Sequence, residues 1–270
     1  TGVQTCALPI SEVKGYYDRV FGLGKGYIAV VGDFDPEAVA KALEADIVAR
    51  KSAEVPFERV VAEYRPVEPA RFVIDTPDKE NAMLFARVDL PASLTDSDMP
   101  ALITADWIIG GSDGLSNRIV NRLRQKEGLS YGAGSGITLP SFGNRAKWSV
   151  GAIVAPQNLA QAEKSLRDEL ARAYRDGITE EELAEAKRGI IQSRAVNRAQ
   201  DGLIASNWVN NLEIGKTWQF SKETEEAVMK LTVEDVNKAL RRFCDPEKLT
   251  FALAGDLKKA QAAGKDFSRQ

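Results

Sequence analysis

The sequence predicts an α+β domain, with a largely antiparallel sheet and helices packed on one face, on three observations. Strand-like apolar runs arrive in pairs separated by pairs of helical runs, unlike the strict strand–helix alternation of a parallel α/β sheet. A helix–turn–strand unit occurs twice, at residues 12–33 and 235–256, so one domain is expected whole and another only by its end. Finally, 44% hydrophobic and 28% charged residues are ordinary for a globular chain with a sizeable core.

The elements follow in order. Arg71 to Asp75 and Ala82 to Val88 alternate or run apolar and read as strands, with Pro77 and Asp78 in the turn between them. Asp98 starts a helix through Leu102, Ile103, Trp107 and Ile108, which Gly110 and Gly111 are expected to end in the left-handed conformation. Ser116 is the next expected N-cap; Ile119 and Leu123 then share one face, and Gly128 closes the helix. Leu129 to Leu139 and Ala146 to Val154 make a hairpin around the turn formers Pro140, Ser141, Gly143 and Asn144. Asn158 caps a helix ending at Gly177, with Leu159, Leu166, Leu170 and Tyr174 near its buried stripe. Thr179 and Glu182 form a capping box for a long helix expected to run past Asn210. Thr232 and Asp235 start the last expected helix, and Leu249 to Ala254 is the closing strand.

The repeat sets the boundaries. EVKGYYDRVFGLGKGYIAVVGD aligns without a gap on DVNKALRRFCDPEKLTFALAGD, 223 residues later, pairing Val13 with Val236, Arg19 with Arg242, Lys25 with Lys248 and Ala29 with Ala252. Residues 11–52 are therefore expected to be the end of a preceding homologous domain, 53–68 a Pro-containing linker, 69–258 a complete copy and 259–270 a polar tail. TGVQTCALPI, residues 1–10, has no charge or amphipathic period and resembles a translated sequencing adapter. It is expected to be non-native, Cys6 with it, the natural protein continuing upstream of Ser11.

Composition excludes several classes. A net charge of -3 and a pI near 5.4 leave no global basic surface for nucleic acid. No apolar run approaches the ~20 residues of a membrane-spanning helix. Cys6 and Cys244 cannot build a disulfide framework or a four-ligand zinc site, and the chain has no histidine.

The run GGSDGLSNRIVNRLRQKEGLSY, Gly110 to Tyr131, carries the candidate chemistry. Arg124 falls at the edge of the apolar stripe of its helix, where packing can hold the guanidinium while its fork points into a cleft. Seven residues on, Tyr131 starts a strand, and the turn at Gly128 can bring its phenol back toward that helix. An arginine fork and a phenol both donate to oxygen, which suits binding of peptide carbonyls and stabilisation of an oxyanion. On spacing alone the favoured reading is the commoner arrangement, a surface arginine beside a half-buried tyrosine.

The same run, followed by ELARAYRDGITEEELAEAKRGI from Glu169 to Ile190, resembles the C-terminal half of the pitrilysin and insulysin (insulinase) family of zinc metallopeptidases. The resemblance extends from Ser11 to about Lys258, and DTPDKENA at Asp75 to Ala82 is similar to the start of the last domain in long bacterial members. It implies a LuxS/insulinase-like fold and a zinc-free part of a peptidase that binds peptide substrate and closes the chamber. Arg124 and Tyr131 are the substrate-binding residues that match the family pattern. Gln125, where many members have glutamate, departs from it. The zinc site, an inverted H-x-x-E-H helix, belongs to the N-terminal half, so the resemblance implies zinc there and none bound by this chain. The partner is then the N-terminal half of the same protein or a catalytic subunit. The alternative is a structural or companion subunit with no zinc site in its gene. Long bacterial members point to the periplasm.

The remaining motifs read as structure. Gly110 to Gly114 and Gly132 to Gly136 lack phosphate-loop spacing and read as a helix cap and a close backbone approach. Strand Ser130 to Thr138 offers an edge for an added peptide strand, by analogy with the family. Glu180, Glu181 and Glu182 suit a helix N-terminus, and Trp107, Trp148, Trp208 and Trp218 are expected in the core.

Overall fold

The computed structural model describes residues 10–21, 26–48, 56, 58–111 and 116–262. Residues 1–9, Gly114 and 263–270, on which parts of the adapter, glycine-loop and tail expectations fall, lie outside the described residues. Two compact units are distinguished: Val61–Val196 with Gln219–Gln270, and Thr1–Val60 with Asn197–Trp218.

The first unit holds the sheet, ordered β1-β5-β2-β4-β3, with β1 Arg71–Asp75, β2 Ala82–Pro91, β3 Ser130–Thr138, β4 Arg145–Val154 and β5 Thr250–Gly255. Every pairing is antiparallel except β1 with β5. The fold is α+β with a mixed sheet, as the pairs of strands and helices imply. Consecutive β1 and β2 are not neighbours; the C-terminal β5 lies between them, a placement that no local signal in either strand encodes.

Period-two alternation gives the sheet two faces. Leu84, Ala86 and Leu90 of β2, Trp148, Val150 and Ala152 of β4, and Phe251 and Leu253 of β5 face the core. Against them pack α3 (Met99–Asp106), α5 (Leu159–Asp176) and α9 (Val233–Phe243), through residues such as Leu102, Leu166 and Leu240. In α9 the Thr232–Asp235 capping box is present. Glu163 of α5 accepts from both Arg71 of β1 and Arg167, a charge cluster that ties the helix to the sheet edge. The opposite face is open. Register places Ile74, Ala254, Met83 and Ile153 in one row and Phe72, Ala252, Phe85 and Gly151 in the next. Of these, Ile74, Met83, Ile153, Phe72 and Phe85 are exposed.

Several boundaries differ from the sequence reading. Asn117, not Ser116, caps α4 (Arg118–Val120), its Oδ1 accepting from Val120 N at 2.8 Å; α4 then widens into a π-type stretch, Asn121–Lys126. Gly110 and Gly111 do not take positive φ. They end a π-type turn, Trp107–Gly111, where a Cβ on Gly110 would lie 2.7 Å from Ser135 N and one on Gly111 would collide with the Asp106 carboxylate. Asn158 ends a 3-10 turn and makes no side-chain cap. Gly128 and Gly177 do take positive φ at their helix ends.

The long helix stops early. α6 spans Glu180–Asn197, and α7, Asp201–Glu213, restarts after an extended Gln200. Asn197 and Asp201 hydrogen-bond locally outside helices better than inside them, so the break falls between them. α8 (Trp218–Lys230) follows, and Leu257–Ala262 is helical (α10), with Ala260 buried where a polar tail was expected. Of the tryptophans only Trp148 is fully buried; Trp208 is exposed and stacks on Trp218 at 5.8 Å.

The second unit contains α1 (Ile10–Val20) and α2 (Pro36–Val48). The first copy of the repeat keeps its helix but not its strand. Residues 26–30 alternate in exposure yet belong to no strand, because a strand's backbone needs a ladder partner.

Candidate functional site

Arg124 sits in the π-type stretch after α4. Leu123, one residue before, is fully buried, while Arg124 itself is exposed, so the chain is anchored at the leucine and the guanidinium projects outward. Gly128, at φ 61°, turns the chain into β3, and Leu129 N donates to Leu123 O at 2.8 Å across that turn. The expectation that packing holds the guanidinium in a cleft is corrected: among the described residues the Arg124 side chain has no hydrogen bond or ion pair.

Tyr131 lies at a β-bulge. Ser130 opposes Val154 and Gly132 opposes Ile153, which leaves Tyr131 as the extra residue. Ser130 is buried, and its Oγ lies 2.8 Å from both Gly132 O and Ile153 O, so the hydroxyl pins the bulge from inside. A bulge re-aims a side chain. Tyr131 is 89% exposed, unlike the half-buried tyrosine of the commoner surface arrangement. Arg124 and Tyr131 thus flank one turn and are both exposed, and among the described residues no hydrogen bond or ring contact joins them.

Behind this edge lies a polar cluster that sequence reasoning missed. Asp106, at the end of α3, accepts at Oδ1 from Ser135 Oγ (2.5 Å) on β3 and from Trp148 Nε1 (3.1 Å) on β4. Burial raises its pKa to about 6, and hydrogen bonds from Ser135, Trp148 and the Ile137 amide only partly offset that rise. Burial, reinforced by the Asp106 charge, also pushes the Cys244 thiol well above its usual range. The sequence signal was a lone aspartate on an apolar helix face, readable only once Trp148 is known to be buried and in need of an acceptor.

A second missed cluster lies on the open face. Asp89 takes bonds from Arg87 (2.8 Å) and Arg145 (2.6 Å). Burial raises the Asp89 pKa, but the two arginines outweigh it and hold the carboxyl below the usual range. These residues border a cleft of 540 Å³ that also includes Tyr64, Phe85 and Lys248. Apolar rows at one end of this face and paired charges at the other offer an extended surface rather than a catalytic pocket.

The residues present do not fit a zinc centre. The chain has no histidine, and among the described residues no group of three or more His, Cys, Asp or Glu side chains converges. Among the described residues, no helix is long and apolar enough to cross a membrane.

Fold and site together define an α+β domain that, among the described residues, brings no metal-ligand group together and offers hydrogen-bond donors beside edge strand β3. The profile described as the peptidase M16 inactive domain matches residues 7–190, and the chain belongs to that family. Among solved structures, the peptidase M16 inactive domain from Pseudomonas fluorescens superposes with a TM-score of 0.75 at 22% identity, over 93% of this chain and 58% of that one. A protease from Helicobacter pylori gives 0.71 at 18% identity, over 83% and 54%. The periplasmic protease PqqL from Escherichia coli gives 0.63 at 16%, over 83% of this chain and 24% of that one. This chain therefore spans just over half the length of the first two. No curated protein sequence matches.

Proposed function

We propose that this chain is the C-terminal, non-catalytic part of a zinc-dependent peptidase, which closes a chamber over the peptide and holds it with Arg124 and Tyr131. The carrying observation is that both side chains are solvent-facing and unpartnered among the described residues, on either side of one turn beside edge strand β3. A free guanidinium and a free phenol are costly to order without a ligand and well matched to carbonyl oxygens. The edge of β3, with Gly132 and Gly136 open above the backbone, suits a peptide laid alongside as a further strand. Zinc and its activating glutamate belong to the N-terminal half or to a catalytic partner subunit, and the compartment is the periplasm.

The test is binding of a labelled unstructured peptide to the 270-residue chain. Arg124→Ala and Tyr131→Phe should each weaken it by about 10-fold, the scale of a lost charged or oxyanion-directed hydrogen bond. Equal affinity in both variants would remove the role from these residues. EDTA-sensitive peptide cleavage by this chain alone would overturn the non-catalytic assignment.

A further inference from the structure

A strap of chain crosses one end of the open sheet face. At its start Tyr64 N donates to Asn144 Oδ1 at 2.8 Å, and Ala62 O lies so close to Gly143 that a Cβ there would be 2.5 Å from it. At its finish Ala70 N donates to Thr250 Oγ1 at 3.2 Å, and Ala70 O accepts from Phe251 N at 2.8 Å. Asn144 belongs to the β3–β4 turn and Thr250 opens β5, so the strap passes over β2 between its anchors. Residues 65–69 make no hydrogen bond among the described residues, and Pro66 and Pro69 have no N–H to offer.

Between strap and sheet lies the cleft of 540 Å³, a size typical of small-molecule sites. Register sets Phe85 opposite Ala252 and Arg87 opposite Thr250 on its floor. Phe85, Ala252, Pro66 and Pro69 make one part of the lining apolar, and Arg87, Asp89, Arg145 and Lys248 make the other charged. Asp89 stays ionised between its two arginines, but it balances only one of them. Each arginine reaches it through Nε and Nη2, which leaves both Nη1 groups unspent among the described residues. With Glu68 of the strap included, the lining carries three cations and two carboxylates. Lys147, opposite Asp89 in the ladder, adds a further positive charge to the same face. This local excess stands on a chain whose net charge is -3.

We infer that the cleft binds a small amphipathic carboxylate, its carboxyl group on Arg87, Arg145 and Lys248 and its apolar body against Phe85, Ala252 and the two strap prolines. A guanidinium already oriented by Asp89 loses little freedom when its remaining nitrogen takes a second carboxylate. A plain apolar body suits the cleft better than a peptide does. The floor strands β2 and β5 are each paired on both sides, so they present no backbone edge to amide groups. The cleft shares no residue with the turn that carries Arg124 and Tyr131.

Decanoate, below its micellar concentration, is the probe, titrated into the 270-residue chain by calorimetry and followed by amide shifts in NMR. It should bind at a single site and shift the amides of Tyr64, Arg87 and Thr250. Butyrate, which keeps the carboxylate and loses most of the apolar body, should bind at least about 10-fold more weakly. Decyltrimethylammonium should also bind at least about 10-fold more weakly, although the chain's net charge favours a cation. Arg87→Gln with Arg145→Gln should weaken decanoate by about 10-fold or more, the scale of a lost hydrogen bond to a charged group. Lys248→Gln, at an exposed position where folding is not at stake, should weaken it about 3-fold. Equal binding of the ammonium, shifts confined to amides outside the cleft, or undiminished binding in Lys248→Gln and in the arginine variant would each overturn the proposal. An acetylated tripeptide acid that binds more tightly than decanoate would assign the cleft to a chain end and likewise overturn it. The comparison of the three probes on the native chain decides the matter even if the arginine variant fails to fold.

Discussion

The Asp106 carboxylate accepts the indole Nε1 of Trp148 at 3.1 Å, so the largest fully buried side chain of the domain is anchored by a charge. Trp148 sits on β4 and Asp106 at the end of α3, and Ser135 joins the pair from β3. One carboxylate therefore fixes the helix end against the two strands that form the edge beside Tyr131.

This carboxylate makes stability depend on pH. Its pKa is raised in the folded chain to about 6 from an ordinary 3.8, so its favourable contribution is complete below about pH 4 and is lost as pH rises through 6. Asp106→Asn removes that dependence. In urea unfolding, the stability of the native chain relative to the variant should fall by about 1–3 kcal/mol between pH 4 and pH 7.5. A constant difference across that range would show that Asp106 does not titrate there.

Glycines 110 and 128 should respond differently to alanine. A Cβ at Gly110 meets Ser135 N at 2.7 Å and the Ile119 side chain at 2.8 Å, whereas at Gly128 it meets no atom within 4 Å but must adopt φ 61°. Gly110→Ala should cost about 2–3 kcal/mol through backbone displacement, and Gly128→Ala about 1–2 kcal/mol through the left-handed conformation. Thermal unfolding of the two variants checks the order; a reversed order would contradict the close approach of Gly110 to β3.

Arg118 should matter more than any surface arginine. It is largely buried and reaches Glu182 through Nε at 2.7 Å and Nη2 at 2.6 Å, and Gly177 O at 2.8 Å, joining α4 to the ends of α5 and α6. Burial raises the Glu182 pKa, but Arg118 and the Thr179 amide outweigh it and hold it below the usual range. Arg118→Ala should cost about 3 kcal/mol at pH 7, the low end for breaking a buried pair because Glu182 keeps some solvent. The pair's contribution is present above the ordinary pKa of 4.5 and is lost as pH falls through the depressed folded value, so the gap between native and variant should narrow as pH falls below 4.5. Guanidinium unfolding at pH 7 and pH 3.5 measures this narrowing; an unchanged gap would refute it.

Arg124 and Tyr131 should be silent in stability. Neither side chain has a protein partner among the described residues, so Arg124→Ala and Tyr131→Phe should each change the free energy of unfolding by less than about 0.5 kcal/mol. Denaturant curves that coincide with the native chain, together with weakened peptide binding, would separate a binding role from a structural one.

The sequence by itself determined what depends on neighbours along the chain. Period-two runs located β1, β2, β3, β4 and β5. Thr179 with Glu182 and Thr232 with Asp235 marked two helix starts, because a capping box closes within three residues. Gly128 and Gly177 marked two helix ends, because positive φ there is a local steric demand. Arg124 and Tyr131 could be proposed together from the sequence because the run that contains them is continuous. Only the tertiary structure decided what depends on distant partners. It inserted β5 between β1 and β2, placed Asp106 under Trp148, and turned Tyr131 outward at a bulge held by Ser130. It also left residues 27–31 without the ladder that their sequence fits. Apolar alternation states that a strand can form, but hydrogen bonds from neighbouring strands decide whether it does.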